Sequence, residues 1–558
     1  MSVGPSPREV ARLGELSYVH GASSTPLLGE TIFQNLRRTA GRYGDREALV
    51  VAHQDRRFTY SELVAACEMV ARGLMARGVR RGDRVGMWSP NRYEWVVTQY
   101  ATAAMGAILV NINPAYRTSE LEYVLNQSGI TFLILAAGFR QADYRAMLAE
   151  VKGRCPELRE ALVLEDGWEA LQRDGARTGL DALHALEGSL QFDDPINIQY
   201  TSGTTGFPKG ATLTHHNILN NGFFIGEALH YTEKDRVCIP VPFYHCFGMV
   251  LGNLACTTHG ATIVVPASSF DPLMTLQTVQ AERCTSLYGV PTMFIAELAH
   301  PQFRSFDLSS LRTGVMAGSP CPIEVMKQCI DEMHMAEVTI CYGMTETSPV
   351  STQTSVDDPL DKRVGTVGRV HPFVEVKVVD PLTGATARRG ESGELCTRGY
   401  SVMIGYWNDA EKTADAIDAA GWMHTGDLAV MDDEGYLKIV GRIKDMIIRG
   451  GENVYPREIE EFLYTHPDIV DVQVIGVPDV RYGEEIMAWV QLREGSSLTR
   501  DELATFCRDR IAHYKVPRYV HVVNEFPMTI TGKVQKYKMR EISIEMLGLQ
   551  AAASVETA

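Results

Sequence analysis

The chain of 558 residues has no excess of basic charge: 53 lysines and arginines stand against 69 aspartates and glutamates, a formal net charge of -16. Coating nucleic acid without sequence preference takes basic stripes, so this balance argues against that role, and a polyanionic ligand would have to be met by a few local cations. Nor is there an apolar run of the about 20 residues that cross a bilayer. The longest candidate, WVVTQYATAAMGAILV from Trp95 to Val110, is interrupted by polar residues. The opening MSVGPSPREVARLGELSYVHG has no basic start followed by an apolar stretch, so no secretory signal is read there. The eleven cysteines are odd in number, scattered and never spaced C-x-x-C. That pattern argues against structural zinc and for a reducing compartment, and a cytoplasmic location is expected. Tandem repeats and low-complexity tracts are absent as well.

What is present is an ordinary globular composition, 45% apolar, long enough for at least two domains. From Asp83 short β-branched runs alternate with helical patterns: RVGMW, a helix from Asn91, AILVNIN, a helix near Ser119, then TFLIL. The rhythm returns in ATIVVP at Ala261, TSLYGVP at Thr285, LRTGVMAGSP at Leu311 and EVTICYGMTE at Glu337. Such alternation predicts parallel sheets covered by helices, with ligands held where the strands end in small, turn-forming residues. Past about Val370 the runs FVEVKVVD, GELCTRG and LAVMDDEGYLKIVG read as antiparallel strands, the last with a turn at Asp432 to Gly435. After GRIKD a compact mixed region begins, with helices and strands around VDVQVIGV, Ile486, Arg500 and YVHVV. A boundary near Ile443 to Asp445 divides an N-terminal domain, 1–442, from a C-terminal one, 443–548, and the small polar tail 549–558 is expected to be disordered.

The densest chemical signal is QYTSGTTGFPKGATLTHHN, from Gln199 to Asn217. It is not G-x-x-x-x-G-K-[ST], because Pro208 stands five positions after Gly203 and Lys209 is followed by Gly210. Its parts still suit phosphates. Gly203 and Gly206 let backbone N–H groups face one way, Thr201, Ser202, Thr204 and Thr205 add hydroxyls, and Lys209 adds a point charge. The set follows an apparent strand, INIQY, and fits a triphosphate tail. His215 and His216 lack metal-site spacing and read as polarity at a helix start.

YTSGTTGFPKG resembles the signature loop of the adenylate-forming superfamily, which contains acyl-CoA synthetases, peptide-synthetase adenylation domains and beetle luciferases. Further blocks follow in that family's order: VPFYHCFGM, AGSPCP, YGMTETSP, GYWNDAEKT, GWMHTGDLAVMDDEGYLKIVGRIKDMIIRGGENVYPREIE and PMTITGKVQKYKMRE. The nearest branch is the acyl-CoA synthetase family member 2 type, usually described as medium-chain. The resemblance implies an α/β fold: a large N-terminal domain of two α/β subdomains plus a distorted β-barrel, and a small, mobile α+β C-terminal domain. It implies a carboxylic acid, ATP and CoA as substrates, Mg²⁺ with the ATP, no nucleic acid, and a monomer or homodimer.

Residue by residue, the resemblance implies that Thr201 to Lys209, including Phe207 and Pro208, grip the phosphates, with Gly318, Ser319, Pro320, Gly343 and Met344 completing the nucleotide site. Tyr342 would stack on adenine, Thr345 would contact the α-phosphate, Asp427 the ribose and Arg442 the ribose and phosphate region. Glu346 would hold Mg²⁺, since a carboxylate beside phosphates needs a hard cation between them. Lys533 would catalyse adenylation as a bridging cation, whereas Lys536 and Lys538 read as solvated surface lysines. His245 matches a gating position beside the acid carboxylate, and Phe243, Gly248, Tyr288, Gly289, Val290, Met316, Ala317, Gly318 and Cys341 lie on runs that could line the acid pocket. Lys444 matches a hinge, and Arg449, Gly450, Gly451 and Glu452 match a loop that helps to form a CoA tunnel. The expected activity is an AMP-forming acyl-CoA synthetase acting on medium-chain or other fatty acids. The alternative is an adenylating enzyme that takes an aromatic acid, or that passes the acyl group to a carrier protein, an amine or nitrite.

Overall fold

The computed structural model describes residues 14–201, 208–449, 452–508, 510–529 and 532–550. Two large sheets form the body of the N-terminal part. The first runs in the order Gly405–Tyr406, Lys209–Thr214, Pro195–Thr201, Ile108–Asn111, Arg84–Trp88, Ile130–Leu135, Glu160–Val163. Its five last-named strands are parallel, and the two at its start are antiparallel additions. The second has nine strands, with Glu337–Gly343, Thr313–Ala317, Ser286–Gly289, Arg236–Cys238, Thr262–Val265 and Glu47–Val51 parallel in its middle.

These strands are parallel because helices cover both of their faces. Ile130–Leu135, ITFLIL, is buried at every position, as a strand between two helical layers must be. The helices start on readable signals. Thr31 and Gln34 make a reciprocal capping box for Ile32–Tyr43, and Thr59 and Glu62 do so for Tyr60–Ala76. The interrupted apolar window falls on the helix Tyr93–Met105 and the strand Ile108–Asn111, both buried, and no described helix is long and apolar enough to cross a membrane.

The third sheet corrects an expectation. In place of a distorted barrel there is an open antiparallel sheet in the order Tyr18–His20, Val374–Val379, Ser392–Gly399, Met423–Met431, Leu437–Arg442. Among the described residues no pairing joins its two edge strands. One apolar face is enough for it: Val374, Val376, Val378, Leu395, Ala429, Met431 and Leu437 form a core of their own, without closure.

A turn at residues 443–445 leads into the last sheet, where Glu452–Val454, Ile447–Arg449, Gly483–Leu492 and Ile469–Asp479 are antiparallel and Tyr519–Val522 runs parallel to Gly483–Leu492. It has a separate core, around Ile459, Leu463, Val472, Ile486 and Leu503. Polar contacts tie it to the second sheet's helices and loops: Arg457 donates to the Cys321 carbonyl at 2.5 Å, and Thr292 Oγ1 donates to the Gly532 carbonyl at 3.2 Å.

One buried group works against stability. Glu297, in the helix Pro291–Leu298, is 0% exposed, and neither carboxyl oxygen has a hydrogen-bond partner among the described residues. Burial therefore pushes its pKa well above the ordinary value of 4.5, and the folded chain holds the proton. An acid whose pKa rises on folding contributes a stability that is complete below its unfolded pKa and declines as pH rises through the window above it. Glu297→Gln should remove that decline. Urea unfolding across about pH 5 to 8 should show the variant gaining on the wild type as pH rises, by about 3 kcal/mol at most near neutrality.

Candidate active site

The hairpin that carries the glycine-rich loop pairs Thr201 with Lys209. Ser202, Gly203, Thr204, Thr205, Gly206 and Phe207 lie outside the described residues; Pro208 follows them at the start of the return strand. Below the hairpin, Lys209 Nζ sits 4.5 Å from the centroid of the Tyr406 ring. Tyr406 donates its hydroxyl to Glu346 Oε1 at 2.8 Å, and Thr201 Oγ1 donates to the same oxygen at 3.4 Å. Glu346 is 5% exposed on the turn Thr345–Thr347, and both of these hydroxyls meet its Oε1. A buried carboxylate held through one oxygen by neutral hydroxyls can offer the other to a hard divalent cation, which takes few protein carboxylates and completes its shell with phosphate and water oxygens. Tyr406 belongs to the GYWNDAEKT block, yet sequence reasoning assigned it no role.

Across the cleft, Tyr342 donates to Asp427 Oδ2 at 2.6 Å, and Arg442 Nε donates to Oδ1 at 3.0 Å. Asp427 and Arg442 are register partners on neighbouring strands of the third sheet, which is why a residue separation of 15 brings them together. Burial and the Asp427 charge raise the Tyr342 phenol well above its usual pKa, and the Asp427 charge strengthens the guanidinium of Arg442. Gly343 has no alternative: a Cβ there would stand 1.7 Å from the Pro349 carbonyl oxygen. Met344 accepts that turn by donating its N–H to the same carbonyl at 2.9 Å.

Lys533 arrives from the last sheet. Its N–H donates to Thr529 Oγ1 at 3.1 Å, and its carbonyl accepts from Thr529 N–H at 2.8 Å, a tight turn that Gly532 closes at φ +76. The side chain reaches the second sheet, where a Cβ placed on Gly318 would lie 3.5 Å from Lys533 Cε. Gly318, at φ +92, begins the Gly318-Ser319-Pro320 turn and leaves room for the lysine. Burial pulls the ammonium below the ordinary lysine value; Arg442 adds to that, while Cys246, Asp427 and Glu346 oppose it. Lys536 is not the surface lysine expected. It donates to the buried Glu460 at 2.6 Å and to the Val474 carbonyl at 3.0 Å, whereas Lys538 is exposed.

His245 stands at the head of a π-helix, Phe247–Leu254, a winding concentrated at functional sites. Its Nδ1 accepts the Phe247 N–H at 3.1 Å, so the neutral ring carries its proton on Nε2. Burial and the Lys533 charge push its pKa down to about 3, which keeps it neutral. Cys246, a neighbour that sequence reasoning passed over, has its sulfur 3.7 Å from His245 Nδ1 and 3.8 Å from Thr345 Oγ1.

The expected pocket residues divide by face. Tyr288, Val290, Ala317 and Cys341 pack in the core that includes Phe247. Met316 does not: it packs with Leu287, Val325 and Met326 on the opposite face of the second sheet, because side chains alternate along a strand. Gly289 points the same way, since a Cβ there would meet the Phe294 ring at 2.9 Å. Phe243 packs on Trp95, and Gly248 lets the π-helix approach the Pro242 carbonyl, where a Cβ would stand 2.5 Å away. Lys444 lies exposed in the turn between the third and last sheets. The contacts of Arg449 stay within the last sheet, on Glu485 at 2.7 and 2.9 Å and over the Tyr482 ring. Gly450 and Gly451 lie outside the described residues, and Glu452 begins the strand Glu452–Val454.

Residues 36–407 match the family model described as AMP-binding enzyme, and residues 458–533 match the one described as AMP-binding enzyme C-terminal domain. The chain is 49% identical to the putative acyl-CoA synthetase YngI of Bacillus subtilis (strain 168), covering 94% of this chain and 99% of that protein. It is 46% identical to the mitochondrial medium-chain acyl-CoA ligase ACSF2 of Danio rerio, covering 96% and 91%. A crystal structure of the anthranilate CoA ligase AuaEII with anthranoyl-AMP superposes with a TM-score of 0.84 at 26% identity, covering 94% of this chain and 99% of that one. ATP-bound MatB from Rhodopseudomonas palustris does so with a TM-score of 0.82 at 29% identity, covering 93% and 100%. With a shared architecture along nearly its whole length and close identity to acyl-CoA ligases, the chain belongs to the AMP-binding enzyme family, as one of its AMP-forming acyl-CoA synthetases.

Proposed function

We propose that the enzyme activates a medium-chain fatty acid, with Mg²⁺·ATP and CoA as its other substrates, and that the residues gathered around Lys533 divide the two steps between them. The medium-chain assignment draws on the ACSF2 relatives of Danio rerio and Homo sapiens, 46% and 43% identical. The observation that carries the division of labour is the reach of Lys533 from the last sheet to the edge of Gly318, in the field of Asp427 and Glu346.

In the first step a carboxylate oxygen attacks the α-phosphorus of ATP and pyrophosphate leaves. Negative charge concentrates between the two anions as the bond forms, and Lys533 stabilises it without transferring a proton. Thr345 contributes a hydroxyl to the α-phosphate, and neutral His245, its Nδ1 occupied by the Phe247 N–H, offers Nε2–H to the acid carboxylate. Tyr342 offers its ring to adenine; Asp427, held by Tyr342 and Arg442, is presented to the ribose diol. Thr201 to Lys209 hold the leaving phosphates. Mg²⁺, held by Glu346, would neutralise phosphate charge. In the second step CoA thiolate displaces AMP from the acyl-adenylate. We assign residues 1–442 to the nucleotide- and acid-binding domain and 443–548 to a domain that turns about Lys444, withdrawing Lys533 and bringing in Arg449, Gly450, Gly451 and Glu452. All eleven cysteines are buried free thiols, which supports a reducing compartment such as the cytoplasm.

Lys533→Ala should lower acid-dependent ATP–pyrophosphate exchange by about a hundredfold or more. A separately prepared acyl-adenylate should still be converted to thioester by the variant at close to the wild-type rate; equal loss in both half-reactions would refute the assignment.

The lowered pKa of Lys533 gives a second test. The cation is the active form, so adenylation should fall as pH rises through that pKa, with an alkaline limb below the ordinary lysine value of 10.5. Rate against pH, measured separately for each half-reaction, should show this limb in adenylation and not in thioester formation.

A further inference from the structure

We propose that Tyr288 is the floor of the acid pocket and that its hydroxyl, pinned by Tyr231 and Ser286, sets the length of the acid that is activated. The proposal rests on the acyl-adenylating reading of the site and assigns its depth.

The carboxylate end of the pocket is marked by Lys533 and Gly318: a Cβ on Gly318 would lie 3.5 Å from Lys533 Cε and 3.2 Å from Val290 Cγ1. Two residues back along the same extended segment, about 7 Å away, comes Tyr288. Tyr288 and Val290 share a core with Phe247, whereas Leu287, between Ser286 and Tyr288, packs on the opposite face. An acyl chain that starts at Lys533 and follows this face therefore meets the Tyr288 ring after a handful of methylenes.

The ring is held from both sides. It stacks on Phe247, in the first turn of the π-helix, with centroids 5.7 Å apart at 29°; Tyr288 is 0% and Phe247 6% exposed. Its hydroxyl accepts from Tyr231 OH at 3.1 Å, and Tyr231 OH lies 2.6 Å from Ser286 Oγ. Ser286 is the next residue of the strand on the Tyr288 side, one pleat deeper. Beyond the ring the face thus continues into three buried hydroxyls bonded to one another, not into further apolar wall. A longer chain would have to lift the ring off Phe247 and lay methylenes against hydroxyls deprived of partners, and a buried hydroxyl left unpaired is costly. Acids that end at the ring avoid both penalties. The substrate class is an unbranched apolar acid of short to medium length.

The test is the chain-length profile of CoA-thioester formation over unbranched acids from butanoate to hexadecanoate, compared as kcat/KM for wild type, Tyr288→Ala, Tyr288→Leu and Tyr231→Phe. In the wild type kcat/KM should fall by about tenfold or more past a medium-length limit. Both Tyr288 variants should raise the ratio of long to medium acids by about tenfold or more, and Tyr231→Phe, which frees the ring without opening a cavity, should raise it by a smaller factor. An unmoved profile in folded variants that still make thioester overturns the floor and leaves the acyl-CoA synthetase reading standing. If the Tyr288 variants do not fold, Tyr231→Phe decides alone, and an unmoved profile there overturns the proposal. A wild type that activates none of these acids overturns the fatty-acid reading and the floor with it.

Discussion

A single ammonium group, carried by the smallest unit of the chain, has to enter a cleft built by the other three sheets and keep its charge there. Burial works against that charge, and Arg442 repels it; Cys246, Asp427 and Glu346 offset the loss. The rest of the site can be read as making room for this cation and setting its partners. Gly318 leaves out a side chain where the lysine stem passes, Gly532 closes the turn that aims it, and the Thr292 hydroxyl fastens that turn to the larger part through the Gly532 carbonyl.

The acidic partners are themselves restrained, each by a neutral donor on a distant segment. Tyr342 donates to Asp427 and Tyr406 to Glu346, so each carboxylate that acts on the lysine also has a fixed partner of its own. Both tyrosines are recruited across long sequence separations, 85 and 60 residues. The sheets supply the register: Tyr342 ends a parallel strand of the second sheet, and Tyr406 lies on an edge strand of the first, opposite Ala211.

Much of this was readable from residue order. The parallel sheets follow from alternating β-branched runs and helical patterns, and the residues proposed to meet the nucleotide carry their own punctuation: glycines where the backbone turns sharply, followed by a hydroxyl, a carboxylate or a lysine. The errors arise where order carries no phase. Met316 and Ala317 are adjacent, apolar and both buried, and only the pairing of Thr313–Ala317 with its neighbours decides which of them faces the π-helix. A strand covered on both faces shows no alternation from which to read that choice. Lys536 resembled any exposed lysine because its partner, Glu460, stands 76 residues earlier. The barrel is implied by the resemblance alone, and residue order does not test it, because antiparallel runs of alternating apolar residues look the same whether or not their edges meet.

The π-helix after His245 is held by side chains from elsewhere: Gln99 donates to the Met249 carbonyl at 3.1 Å, Asn253 donates to Gln99 at 2.8 Å, and Asn111 donates to the Tyr244 carbonyl at 2.9 Å. Its wide winding stores one surplus residue against an ordinary helix. Rewinding of the same residues as an ordinary α-helix would carry that surplus past the end and turn everything before it by about 100°. His245 would then leave the cleft while every other motif stayed in place. Over this stretch the orientation of His245 depends on the winding that Gln99 and Asn253 hold, more than on the apolar letters that fill it.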